Sequence, residues 1–306
     1  MKIKTLLSVS VFVLVQLIFG KILAQSEINK CKIYFLGTIH SNHLISDLGY
    51  TLTDLTKTIE IINPDLICIE MTEGALGKDL EGYFPPENAV ILEYAKENGI
   101  DIQPIDWRYD LNKEAKKYTL TSEQRNKIKE TQKKVDQIVF SYLSENDWRG
   151  YFSFIQNDKN FHSAIKNQHN VKIKLLGEES DGYWLTRNEK IVERLNEKIK
   201  ESKPKVVLVT FGLHHKYIIE DLLMNKFKVK TEEVPRLINS ENSAKGNSVI
   251  GRWTKNKEKL EKILKNDEIS NELKNKIIQS GRVKKLEGFI NSKGMANKKI
   301  RHLFEK

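Results

Sequence analysis

Two short apolar runs in this chain end in the same way. Ile-Tyr-Phe-Leu at 33–36 opens into Gly37-Thr38-Ile39-His40, and Leu-Val-Thr-Phe at 208–211 opens into Gly212-Leu213-His214-His215. With 16 Gly and 7 His among 306 residues, chance supplies roughly 0.4 such G-x-x-H matches. Two, each directly behind a run that reads as a buried strand, are not an accident of composition. Glycine at the end of a strand permits a sharp turn and a close backbone approach. The histidine three residues later then stands above the carboxyl edge of the sheet, where α/β folds bind their ligands.

Further strands and helices alternate around these two. Residues 31–36, 65–69, 100–105 and 205–211 read as strands, the second following Pro64 and ending at Glu70, the third leading into Asp106-Trp107-Arg108. Between the first two, Leu44, Ile45, Leu48, Leu52, Leu55, Ile59 and Ile62 mark one face of a helix over 43–62, giving a βαβ unit. Residues 88–98 predict a helix closing at Gly99, and 188–200 and 216–224 predict two more. The stretch 121–170 is Lys-, Gln- and Asn-rich with Phe140, Tyr142, Trp148, Tyr151, Phe152 and Phe154 as packing anchors, and reads as a helical insertion at about 110–170. Residues 171–176 read as another strand ending at Gly177, and 227–234 as a polar edge strand. The fold class expected is α/β, with a largely parallel central sheet, flanking helices, the helical insertion and a basic helical C-terminal tail.

A hydrophobic content of 39% supports a real core and excludes a chain disordered throughout. The net charge of +10 is concentrated at the end, where residues 241–306 carry 17 Lys+Arg against 8 Asp+Glu. Residues 239–306 read as a linker and a solvated helical tail, able at most to make weak contact with an anionic surface. No nucleic-acid-binding motif accompanies the charge, so no nucleic acid partner is expected. At the other end, Met-Lys-Ile-Lys, the apolar stretch 6–19 and the small Ala24 have the layout of a signal peptide over 1–25, which predicts an exported protein, secreted or periplasmic; an uncleaved anchor is the other reading. Cys31 and Cys68 are expected to stay unpaired. If Gly37 and Glu70 mark one edge of neighbouring strands, the two cysteines are offset by about 13 Å at 3.3 Å per residue, beyond the roughly 7 Å that a disulfide spans.

The chemistry resides at the strand ends. His40, His215 and Glu70 converging on one rim could hold a divalent metal ion or form a general acid–base set. Glu70 is then either a ligand or the base acting on a metal-bound water, and Arg187 stabilises a developing oxyanion or is a helix-start surface residue. Asp106 and Arg108 are candidates for an ion pair at the third strand's end, while His43 and His214 are secondary candidates near the same rim. His162, His169 and His302 read as solvated, and Trp184 as a packing residue.

Taken in order, Gly37-Thr38-Ile39-His40, Glu70, Asp106-Trp107-Arg108, Arg187-Asn188-Glu189 and the G-x-x-H at 212–215 resemble the TraB/Tiki superfamily over about residues 31–235, with erythromycin-esterase-like and ChaN-like proteins as related branches. The resemblance implies a TraB/Tiki-like α/β domain over 26–238 and a hydrolase site built from His40, Glu70, Arg187 and His215. The Tiki branch implies a metal-dependent peptidase using manganese or cobalt, with zinc also considered, acting on a peptide or small-molecule substrate. The ChaN-like branch implies haem or iron binding without turnover. The chain has His214 where the family's second motif often has a glycine, and no H-E-x-x-H occurs, which excludes a zincin.

Overall fold

The computed structural model describes residues 27–45, 49–108, 119–145, 150–235 and 241–297. The leader-like segment, Trp148 and His302 lie outside these residues. Four strands, β1 (Lys32–Thr38), β2 (Leu66–Ile69), β3 (Asp101–Pro104) and β4 (Val206–Gly212), form one sheet in the order β1-β4-β2-β3. Every pairing is parallel, so the expected α/β class is what the chain forms. β1 and β2 are not neighbours, because β4 lies between them. Their level is nevertheless common: Gly37 pairs with Phe211, and Ile69 pairs with Thr210, which puts Glu70 beside Phe211 as well. Both cysteines are free, Cys68 buried and Cys31 partly so.

Alternation along the strands divides the core in two. Ile33, Phe35, Leu66, Cys68, Val207, Val209 and Phe211 point to one face of the sheet, and Leu36, Ile67, Ile69 and Leu208 to the other. The first face is covered by Ile191, Val192, Leu195 and Ile199 of α6 (Trp184–Ser202) and by Ile219 and Leu223 of α7 (Lys216–Phe227). The second is covered by α1 (Leu52–Ile62) and α2 (Asn88–Asn98), and beyond them by the later helices. Burial on both faces explains why the strands read as continuous apolar runs.

Four segments differ from the sequence reading, three within the α/β domain and the fourth the C-terminal region read as a solvated tail. The helix expected over 43–62 is a 3-10 turn, His40–Leu44, followed by a separate α1. The break follows from a capping box in which Thr51 and Asp54 exchange side-chain and backbone hydrogen bonds, with Gly49 at φ 56 just before it. Residues 171–176 are no strand: they continue α5 (Lys159–Leu176), which Gly177 ends. The alternation Val171, Ile173, Leu175 that suggests a strand is too short to distinguish from the packed flank of a helix. The insertion therefore consists of α3 (Ser122–Glu145), α4 (Tyr151–Asn157) and α5. The third segment, 227–234, leaves α7 through a left-handed Lys228 and touches the sheet by a single bridge between Tyr34 and Glu232, too little to make an edge strand.

The basic C-terminal region is packed onto the body of the protein. α8 (Asn247–Lys265), α9 (Asn271–Ser280) and α10 (Arg282–Asn291) contribute Trp253, Leu260, Ile277, Leu286 and Phe289 to the larger core. Trp253 packs edge-on to Phe289 and donates its indole N–H to the Pro86 carbonyl at 2.9 Å. Arg252 reaches Glu81 and Glu93, and Asn256 donates to Glu81. These helices thereby clamp residues 81–87, the approach to one wall of the site.

Candidate active site

The two G-x-x-H motifs interlock. β1 and β4 are adjacent and in register, with Thr38 opposite Gly212. A Cβ on Gly37 would collide with Leu213 of the second motif, and a Cβ on Gly212 would stand 2.7 Å from Nε2 of His40 in the first. Each glycine is thus required by a side chain of the other motif. Gly37 is also bracketed by the buried Gln156, which donates to its carbonyl at 2.7 Å and accepts from its N–H at 2.9 Å. His40 itself sits at φ 52, a left-handed conformation that residues with a Cβ seldom adopt and that concentrates at functional sites.

The two imidazoles are fixed through Nδ1 by opposite kinds of partner. His40 Nδ1 donates to the buried carboxylate of Glu87 at 2.9 Å. Burial opposes a charge on this ring, but the Glu87 carboxylate, through its charge and its hydrogen bond, and Glu70 outweigh it and raise the pKa. His215 Nδ1 meets Asn188 Oδ1 at 2.6 Å. The Asn188 amide nitrogen donates to the Trp184 carbonyl, so its oxygen faces His215 and must accept from Nδ1–H. His215 therefore carries its lone pair on Nε2. Burial, then the positive charge of Arg187, drive its pKa well below the ordinary range. Trp184 packs on its ring with centroids 4.3 Å apart.

Glu70, immediately after β2, shares the Gly212 turn with His40 and feels the charges of both histidines. Its Oε1 accepts from Arg187 at 2.9 Å and Arg108 at 3.2 Å, and its Oε2 accepts from the Gly212 N–H at 2.8 Å. Burial disfavours the charged carboxylate, yet Arg187 foremost, with His40, His215 and Arg108, holds its pKa far below the usual range. Arg187 forks over Asp106 at 2.8 and 2.9 Å, and Arg108 adds a 2.7 Å bond to the same carboxylate. Arg187 lies in the first turn of α6, where a cation opposes the helix dipole. The two buried carboxylates explain its place there.

Glu70 fits a metal-ligand role poorly. A divalent ion on this carboxylate would share it with two guanidinium groups and a backbone N–H, against strong like-charge repulsion. Among the described residues no three His, Cys, Asp or Glu side chains are grouped to hold an ion. His40 and His215 do keep Nε2 as the nitrogen facing away from their anchors.

The secondary candidates separate. His43 is buried, with Nδ1 against the Tyr50 carbonyl at 3.0 Å and Nε2 accepting from the Ile39 N–H at 3.3 Å, so it shapes the turn that carries His40. His214 points outward, its Nδ1 3.3 Å from His169 Nε2. His169 is not solvated as expected: it stacks on Trp184 at 3.9 Å and bonds Asp181. His162 is half-buried against the Gln156 carbonyl. Glu87 escapes sequence reading because an acid at a helix start is commonplace. Asn188 stands beside Arg187 in the motif, but only the tertiary structure gives it a partner.

Fold and site together define an α/β protein whose parallel sheet presents a buried, charge-paired, two-histidine site at its carboxyl rim. Compared with protein-family models, curated proteins and solved structures, the chain matches none.

Proposed function

We propose that the protein is an exported hydrolase of the TraB/Tiki type that cleaves an ester or peptide bond by general acid–base chemistry. The observation carrying this reading is the pair of unlike anchors on one rim, a carboxylate at His40 Nδ1 and an amide oxygen at His215 Nδ1. Two titratable groups whose surroundings push their pKa values apart mark an acid and a base. His215, neutral with its Nε2 lone pair available, takes a proton from water as that water attacks the carbonyl. His40, held protonated by Glu87, supplies the positive charge and the proton that the developing oxyanion and leaving group require. Glu70, Asp106, Arg108 and Arg187 form the frame that keeps the Gly212 turn, and with it both imidazoles, in place. No step passes through a metal ion.

The test uses the mature full chain on a panel of esters and peptides, with and without a chelator. Hydrolysis that survives chelation and is lost in His40→Ala and His215→Ala, with folding unchanged, is the expected result. Hydrolysis abolished by chelation and restored by Mn²⁺, Co²⁺ or Zn²⁺ would overturn the metal-free assignment. A tight haem complex with a Soret band and no turnover would overturn the hydrolase reading itself.

A further inference from the structure

At the rim the charges are layered. The three carboxylates lie beneath the surface, Glu70 6%, Asp106 0% and Glu87 1% exposed by side chain, and each is already engaged by arginine or histidine. Two of their partners reach solvent: the ring of His40 keeps 37% of its surface and the Arg108 guanidinium side chain keeps 35%. Arg108 lies over the Phe84 ring, 5.8 Å from its centre.

Another cation comes from the C-terminal helices. Arg282 opens α10, one turn before Leu286 and on the same face. Leu286 is packed so closely against Gly82 that a Cβ there would meet its methyl groups at 2.8 and 2.9 Å. That face of α10 is therefore turned to residues 81–84, the segment that ends under Arg108. Arg282 is half-buried, and among the described residues its guanidinium has no carboxylate within ion-pair distance. The charges that act on it most are Glu87, Glu70 and Arg108, which are groups of the site.

We infer that Arg282, with Arg108, forms a subsite for an anionic group, so that the substrate carries a carboxylate or phosphate close to the scissile bond. This inference rests on the hydrolase reading. Guanidinium groups bind both anions through paired, charge-assisted hydrogen bonds. A partly desolvated guanidinium without its own carboxylate is an incomplete pair that such a ligand completes.

Two measurements on the full chain separate this inference from the reading beneath it. Calorimetric titration with inorganic phosphate and with glutarate reads binding without turnover. Saturable binding of either is expected, with Arg282→Gln weakening it about tenfold or more and Arg282→Lys less. The tighter of the two anions names the group. Rates on a neutral p-nitrophenyl ester and on its glutarate half-ester read selectivity, and Arg282→Gln is expected to lower the ratio of anionic to neutral turnover. If neither anion binds, or if Arg282→Gln binds both as the wild type does while folded, the subsite is overturned. Anion binding lost in Arg282→Gln without hydrolysis of any ester would uphold the subsite and overturn the hydrolase.

Discussion

Gly212 lies against the ring of His40: a Cβ at position 212 would stand 2.7 Å from His40 Nε2 and 3.4 Å from Glu70 Oε2. The glycine of the second G-x-x-H motif is therefore the seat of the histidine of the first. Residues 172 positions apart in the chain share one volume too small for a methyl group.

Gly212→Ala tests that seat. The backbone there, φ −48 and ψ 135, is open to alanine, so any loss comes from the contact alone. We expect a stability cost of about 1–3 kcal/mol from overpacking and a fall in kcat/KM of about 100-fold as His40 is displaced. Chemical denaturation and steady-state kinetics measure the two. Wild-type turnover would show that His40 does no chemistry from this position.

The acid–base assignment predicts a plateau of kcat/KM across neutrality. Activity falls at low pH as His215 gains a proton, below the ordinary histidine range, and at high pH as His40 loses one, above it. Glu87→Gln removes the charge that raises His40. The alkaline limb should move to lower pH by about one unit or more, while the acid limb stays. A profile with neither limb moved would detach Glu87 from the reaction.

Arg187→Lys should destabilise the fold. Lysine cannot fork over Asp106 and also reach Glu70, and a buried carboxylate left without its partner costs about 3–5 kcal/mol. Urea unfolding at neutral pH gives the number. A loss under 1 kcal/mol would mean that Arg108 alone neutralises both acids.

His43 makes stability fall in acid. Burial pushes its pKa down to about 4. The folded ring is therefore neutral where an unfolded one, titrating near 6.5, is charged. Stability is complete above pH 6.5 and is lost as pH falls toward 4, by about 3 kcal/mol in all. His215, depressed further, acts in the same direction. His43→Asn keeps a donor for the Tyr50 carbonyl and cannot titrate. It should lose about 1–2 kcal/mol at pH 7 and then fall less steeply down to pH 4, as followed by denaturation at pH 7, 6, 5 and 4.

The strands were legible because burial on both faces writes them as uninterrupted apolar runs, and α2 because Gly99 stops it where the helical spacing stops. The rim residues His40, Glu70, Arg108 and His215 were legible because each follows a strand end, whereas Arg187, in the first turn of a helix, was legible only through the resemblance. The division of 43–62 was missed, since the Thr51–Asp54 capping box sits inside a spacing that apolar residues alone make continuous. The C-terminal helices look like a solvated tail because their charge is plain in the sequence, whereas their narrow apolar faces gain meaning only against residues 81–87.

By itself the sequence determined the four strands of the sheet, though not that 171–176 and 227–234 stay out of it, and that two histidines and a carboxylate stand at the strands' carboxyl ends. These follow from periodicity and turn chemistry, which act over a few residues. Only the tertiary structure decided that β4 enters between β1 and β2, that Glu87 and Asn188 anchor the two imidazoles, and that the face of α10 that begins with Arg282 packs toward residues 81–84. Those depend on which distant side chains desolvate one another. Burial and charge pairing are set by neighbours in space, and no short-range pattern in the chain encodes them.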